Sequence, residues 1–223
     1  MTTPPDLVIF DVDGTLHDAF AWWAPVLRRG LAAFAAREGL VVELPDDAAA
    51  DAVVGSKDAG VWAPFLPASQ RDRWRELRAV VLPMELDEVR AGRDYLFPGV
   101  RELLVELRRQ GVGTALASNC HQLYMDAIRE GQGLAALTGA QFCLDSPGVT
   151  TKTDMIRLAV GAAGARRAWM VGDREPDLEA AREAGLPFVW RANARCDLSA
   201  AADLVWAGGA EEFLHLAGLA RIS

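Results

Sequence analysis

Lysine is almost missing from this chain: Lys57 and Lys152 are its only two among 23 basic residues. Basic charge as a whole is also short, with a formal net charge of −8. That balance leaves no basic face for a phosphate backbone, which excludes nucleic acid as a partner and leaves any anionic ligand to be met by local positive charge. No apolar run is long enough to cross a bilayer, and the N-terminal residues lack the basic start and long apolar core of a signal peptide. These absences predict a cytoplasmic protein, monomer or homodimer, with no membrane partner. The three cysteines, Cys120, Cys143 and Cys196, are odd in number and far apart, which fits neither a disulfide framework nor a zinc site. Internal repeats and low-complexity stretches are absent too.

What is there is an ordinary globular composition, 51% hydrophobic and 24% charged. At 223 residues it can build one core domain and a smaller companion. The informative stretch comes early. Leu7-Val8-Ile9-Phe10, between Pro4-Pro5 and a glycine turn, reads as a buried strand. It runs directly into Asp11-Val12-Asp13-Gly14-Thr15. Side chains alternate along an extended chain, so Asp11 and Asp13 start on one face and can enter one cleft. Two carboxylates that close need a cation or a shared proton. Gly14 permits a sharp turn and close approach of a ligand to the main chain, and Thr15 adds a hydroxyl and an N–H. An acidic surface turn after an edge strand is the plainer reading, but such turns seldom follow a buried strand in this order.

From about Asp18 to Asp94 the pattern is helical, with Trp22, Trp23, Val26, Leu27, Leu31 and Phe34 at helical intervals. Pro45, Gly55, Gly60, Pro64, Pro67 and Pro83 are expected to break the rest into short pieces. Arg71 to Arg78 mixes signs along a helix and reads as a solvated face. Trp22 and Trp23 read as core of this insert rather than as a ligand wall. From Tyr95 onward helices and strands alternate. Strands are predicted at 112–117, 141–144, 168–171, 187–190 and 204–206, with helices at 100–110, 122–131, 152–162, 176–184 and 210–217. That alternation implies right-handed crossovers and a doubly wound parallel sheet, an α/β Rossmann-like core made of 1–17 and 95–223 with an all-helical insert, 18–94. Such sheets bind ligands beyond the carboxyl ends of their strands, where the acidic turn lies.

Three later strand ends carry polar residues that the strands themselves do not need. Ser118 and Asn119 follow Ala117, where a hydroxyl and the amides opening the next helix suit a phosphate. Lys152 opens another helix. In a chain that writes nearly every cation as Arg, a compact ammonium suits a site binding one phosphate oxygen and one carboxylate. Asp173 lies just past a strand, and Asp177 falls in the first turn of the following helix, where a carboxylate can also serve as a cap. Several carboxylates converging on one cleft require a metal, and oxygen ligands beside a phosphate favour Mg²⁺.

In this order the motifs, the DVDGT stretch at Asp11 to Thr15, Ser118, Lys152 and the segment Gly172-Asp173 to Asp177, resemble the haloacid dehalogenase superfamily over the whole chain. The resemblance implies that Asp11 is the nucleophile of an aspartyl-phosphate and that Asp13 is the general acid and then the base. It implies Mg²⁺ held by Asp11, the backbone carbonyl of Asp13, Asp173 and Asp177, and phosphate held by Gly14, Thr15, Ser118, Asn119 and Lys152. The helical insert is similar to the family's cap. Many relatives have Ser or Thr where this chain has Arg174, and Pro where it has Thr153. The expected activity is hydrolysis of a small phosphorylated metabolite, with phosphoglycolate phosphatases the nearest subgroup. A sugar-phosphate mutase of the β-phosphoglucomutase type shares the motifs. Asp13 argues against a 2-haloacid dehalogenase, which lacks the second aspartate, and the retained Asp11, Asp13, Lys152 and Asp173 argue against a non-catalytic binding module. The other lysine, Lys57, lies in a glycine-containing break between insert helices and is expected to reach towards the leaving group. A plain surface lysine is the alternative for it. His121 is expected on the surface at a helix start.

Overall fold

The first strand, β1 (Leu7–Phe10), is buried on both faces, as a strand at the centre of a parallel sheet must be. In the computed structural model, which describes residues 3–220 and 222, six parallel strands form one sheet. The others are β2 (Gly113–Ala117), β3 (Gln141–Phe142), β4 (Ala168–Gly172), β5 (Phe188–Arg191) and β6 (Leu204–Trp206). Their order is β3-β2-β1-β4-β5-β6, so the winding reverses at β1. That makes the carboxyl end of β1 the topological switch point where such sheets open a crevice. Phe10 is level with Leu116 on one side and Val171 on the other. The register therefore brings Asp11, Ser118 and Asp173 out at the same edge.

Alternation divides the core. Val8 and Phe10 join one apolar cluster and Leu7 and Ile9 the other. The helices α5 (Val100–Arg109), α6 (Gln122–Gly131) and α9 (Ala210–Leu216) contribute to the first cluster, and α7 (Lys152–Ala163) and α8 (Glu175–Ala184) to the second. Strand ends differ from the sequence reading by small, explicable amounts. The third strand stops at Phe142 because the Cys143 N–H turns to Ser146 Oγ at 2.9 Å. The fifth begins after Pro187, which has no N–H to give.

Between β1 and α5 the chain is helical: α1 (Trp23–Glu38), α2 (Asp47–Asp51), α3 (Ala59–Trp62) and α4 (Trp74–Arg90), with short 3₁₀ turns. It leaves and rejoins the sheet layer at one place, where Asp18 N–H bonds Tyr95 O at 2.7 Å and Phe97 N–H bonds Leu16 O at 3.0 Å. Pro83 does not break this region as expected, for it lies inside α4. The residue that loses its ladder donor is Ala79, which is exposed, so water can serve its carbonyl. Packing of Leu77, Val81 and Val89 supplies what the proline costs. The C-terminal part of α4 is anchored on α6. A side chain at Gly131 would overlap the Val89 carbonyl, and the Gln132 amide donates to Val89 O and Arg93 O at 3.2 and 3.0 Å.

Candidate active site

Asp11 follows β1 and is fixed by its N–H to Val171 O at 2.9 Å. Lys152 is placed by the start of α7, where a capping box joins Thr151 and Asp154. Hydrogen bonds from the Thr150 and Thr151 hydroxyls and N–H groups hold the Asp154 carboxyl well below the usual range. That locked turn carries Lys152 inward, its Nζ 2.7 Å from Asp11 Oδ1 and in contact with Asp177 Oδ1. The expected pairing of Lys152 with one carboxylate is thus met by two. Asp177 caps its own helix, accepting from the N–H groups of Asp173 and Arg174 at 3.2 and 3.1 Å.

Oxygens of Asp11, Asp173 and Asp177 lie within 4.8 Å of one another, and all three residues are buried. Burial, and then repulsion among these carboxylates, push the Asp11 and Asp173 carboxyls upward against the pull of Lys152. Burial opposes the Lys152 charge, yet Asp11 and Asp177 hold its pKa above the ordinary value. When all three are ionised, three carboxylates against one ammonium leave two negative charges, which suits a hard divalent cation with oxygen ligands and, without one, adds to the upward push. Thr15 Oγ1 is 3.4 Å from Asp173 Oδ1. Gly14 has φ 86°, and a side chain there would overlap the Asp173 carboxylate.

Asp13 turns the other way. Its Oδ1 accepts from His17 Nδ1 at 2.9 Å and Tyr124 OH at 3.0 Å. Burial first, then the Asp13 charge, raise the Tyr124 hydroxyl well above its ordinary pKa and keep it a donor. Asp13, Ser118 and Asn119 form the floor of a cavity of ≈ 100 Å³ whose roof belongs to the helices between β1 and α5. Trp22 and Trp23 are both core and cavity wall. The Asn119 amide donates to Gly55 O at 3.3 Å, so its side chain ties the floor to the roof. His121 does the same, with Nδ1 2.9 Å from Asp145 and Nε2 3.3 Å from Asp58, and is half-buried rather than a free surface residue.

Lys57 does not line this cavity. Its turn does, through Gly55, Ser56 and Asp58, but Lys57 itself is exposed. The positive φ of Gly55 and Asp58 bends the turn so that its neighbours face inward. Arg78 lies in the wall, together with Leu82 and Glu85, and His121 lines the cavity as well. The sequence reading assigned Arg78 to a solvated face. The spacing 78, 82, 85 was the available signal, since i, i+4 and i+7 share one side of a helix.

The family model for haloacid dehalogenase-like hydrolases matches residues 5–185. A phosphoglycolate phosphatase from Mesorhizobium japonicum is 32% identical over 192 residues, covering 82% of this chain and 81% of that one. Among solved structures, a haloacid dehalogenase-like family protein from Streptococcus pneumoniae matches with a TM-score of 0.76 at 19% identity, over 94% of this chain and 97% of that one. CbbY from Rhodobacter sphaeroides, solved with phosphate, matches at 0.67 and 22%, over 93% and 96%. The chain belongs to the haloacid dehalogenase-like hydrolase family. Within it the protein is a phosphatase, phosphoglycolate-phosphatase-like in sequence. No described helix is long and apolar enough to cross a membrane.

Proposed function

We propose that the protein is a Mg²⁺-dependent phosphomonoester hydrolase of a small phosphorylated metabolite, working through an aspartyl-phosphate on Asp11 in the cytoplasm. The observation that carries this is the convergence of Asp11, Lys152, Asp173 and Asp177 at one sheet edge, beside a cavity floored by Asp13 and Ser118. The carboxylates of Asp11, Asp173 and Asp177, with the Asp13 carbonyl, would hold Mg²⁺, which when bound offsets phosphoryl charge and orients the ester. Lys152 and Ser118, with the turn at Gly14 and Thr15 and the Asn119 backbone, hold the phosphoryl oxygens. An Asp11 oxygen attacks phosphorus and the ester P–O bond breaks. Asp13 gives its proton to the departing oxygen, then removes one from the water that releases phosphate from Asp11. Two donors on Asp13 Oδ1 leave Oδ2 as the oxygen that carries this proton. In this reading residues 18–94 are a cap over a core of 1–17 and 95–223.

The test is release of inorganic phosphate from a series of phosphomonoesters, with and without metal. Chelation is expected to abolish release and Mg²⁺ to restore it, and Mg²⁺ should raise the melting temperature of the protein. Full activity after exhaustive chelation refutes the metal assignment. An isomerised sugar phosphate in place of free phosphate would make the protein a mutase.

A further inference from the structure

Among the buried charged side chains described, Glu85 alone has neither a hydrogen bond nor an ion pair; Asp11, Glu106, Lys152, Asp173 and Asp177 all have partners. It is 7% exposed and lines the cavity. Burial pushes its carboxyl up to about 8, with Asp13 adding to the rise and Arg78 opposing it. A buried carboxyl without a partner costs stability. Such a cost is commonly kept where a ligand supplies the missing bond. The site is rigidly presented, because the C-terminal part of α4 is anchored on α6. Asp13 and Tyr124 line the same cavity and interact with the Glu85 charge, and the Arg78 backbone lies two turns, about 10 Å, back along the helix axis. Trp23, Trp62 and Leu82 make the walls between apolar.

We infer that Glu85 reads the leaving group, and that the preferred substrate is the phosphate ester of a polyol or amino alcohol whose O–H or N–H donates to this carboxyl. The inference rests on the phosphatase reading above. An ester whose alcohol ends in a carboxylate close to the phosphate is disfavoured above about pH 8, where Glu85 has lost its proton, because that charge has no donor to offer and faces the carboxylates of Glu85 and Asp13.

The experiment compares sn-glycerol 3-phosphate, O-phosphoethanolamine, phosphoglycolate and 4-nitrophenyl phosphate on the full-length enzyme with Mg²⁺, at a pH about one unit above 8 so that Glu85 is ionised. One of the two donor-bearing esters is expected to exceed phosphoglycolate at least tenfold in kcat/KM. Glu85→Leu should lose at least about tenfold more on that ester than on 4-nitrophenyl phosphate, which has no donor to offer. The melting temperature should stay level or rise, since the substitution removes a carboxyl that has no partner in the protein. Glu85→Gln identifies the donor: it keeps most activity on a hydroxyl and loses it on an ammonium. A preference for phosphoglycolate, equal losses on all esters, or a lower melting temperature for Glu85→Leu would overturn the inference. If the wild type releases phosphate from none of the esters, 4-nitrophenyl phosphate included, the phosphatase reading itself fails.

Discussion

The floor and the roof of the cavity are built on opposite terms. On the floor and in the carboxylate cluster beside it the charged groups are already engaged: Asp11 with Lys152, Asp177 with Lys152 and two N–H groups, Asp173 with the Thr15 hydroxyl, Asp13 with His17 and Tyr124. In the roof Asp58 meets His121, but Arg78 and Glu85 have no hydrogen bond or ion pair among the described residues. The floor hangs from strand ends whose register is fixed on both sides of β1, and the roof from helices whose chain leaves and rejoins the sheet layer at one place and which rest on α6. Phosphoryl transfer needs its groups set before the substrate arrives, because reorganisation during reaction adds to the barrier. Recognition of one alcohol among many works the other way, since unfulfilled groups reject every ligand that cannot complete them.

If the floor is the chemical half, its variants should change turnover by orders of magnitude on every ester. Asp11→Asn cannot form an acyl phosphate and should lose at least about 10⁴-fold in kcat. Its circular dichroism should match the wild type, and steady-state turnover within 100-fold of wild type would remove Asp11 from the role. Asp13→Asn should cost about 10²–10⁴-fold on alkyl esters. On 4-nitrophenyl phosphate, whose leaving group departs without a proton, the loss should be smaller. Equal losses on both would mean that Asp13 holds the site's shape and does not supply the proton.

A smaller blow to the floor is steric. Gly14→Ala forces a side chain into a positive-φ position and against Asp173, costing about 1–2 kcal/mol for the conformation and 1–3 for the overlap. The melting temperature should fall by about 5–15 °C. Mg²⁺ should raise it less than in the wild type, because the displaced Asp173 carboxylate is a proposed ligand. An unshifted melting curve would show that the turn relaxes freely and that the glycine is not required.

The same division explains what was legible in the sequence. Strand runs such as Leu7–Phe10 and the polar residues just past them are local signals, and a parallel sheet with short crossovers brings such strand ends to one edge without further information. That is why Asp11, Ser118, Lys152, Asp173 and Asp177 could be named together. The roof depends on how α1, α3 and α4 pack, and no local pattern states it. Pro83 read as a breaker because propensity favours a break, whereas packing of Leu77, Val81 and Val89 overrides it. Arg78 read as solvated helix surface and Glu85 drew no reading, and although positions 78, 82 and 85 share one side of a helix, it takes the fold to show that this side faces a cavity. Scarcity of lysine pointed rightly to a special place for Lys152, buried between two carboxylates. The same argument extended to Lys57 meets an exposed side chain outside the cavity lining, since rarity says nothing about which way a turn directs its side chain.

That contrast between two cations of the roof supplies the mildest prediction. Arg78 lines the cavity two helical turns from Glu85, with no carboxylate of its own within ion-pair distance, while Lys57 is exposed on a turn whose neighbours face inward. An exposed ammonium keeps its hydration and contributes little to a ligand it does not touch. A half-buried guanidinium facing a cavity has fewer waters to lose and five donors to offer an acceptor at the far end of the alcohol. Arg78→Ala should therefore raise KM for the preferred ester by about tenfold with kcat nearly kept, because the contact exists before and during reaction alike. Lys57→Ala should change kcat/KM by less than about twofold on every ester in the series. If instead Lys57→Ala produces the larger KM effect, the turn at 53–58 must close further over a bound ester than it does here, and recognition would belong to that turn and not to the fixed face of α4.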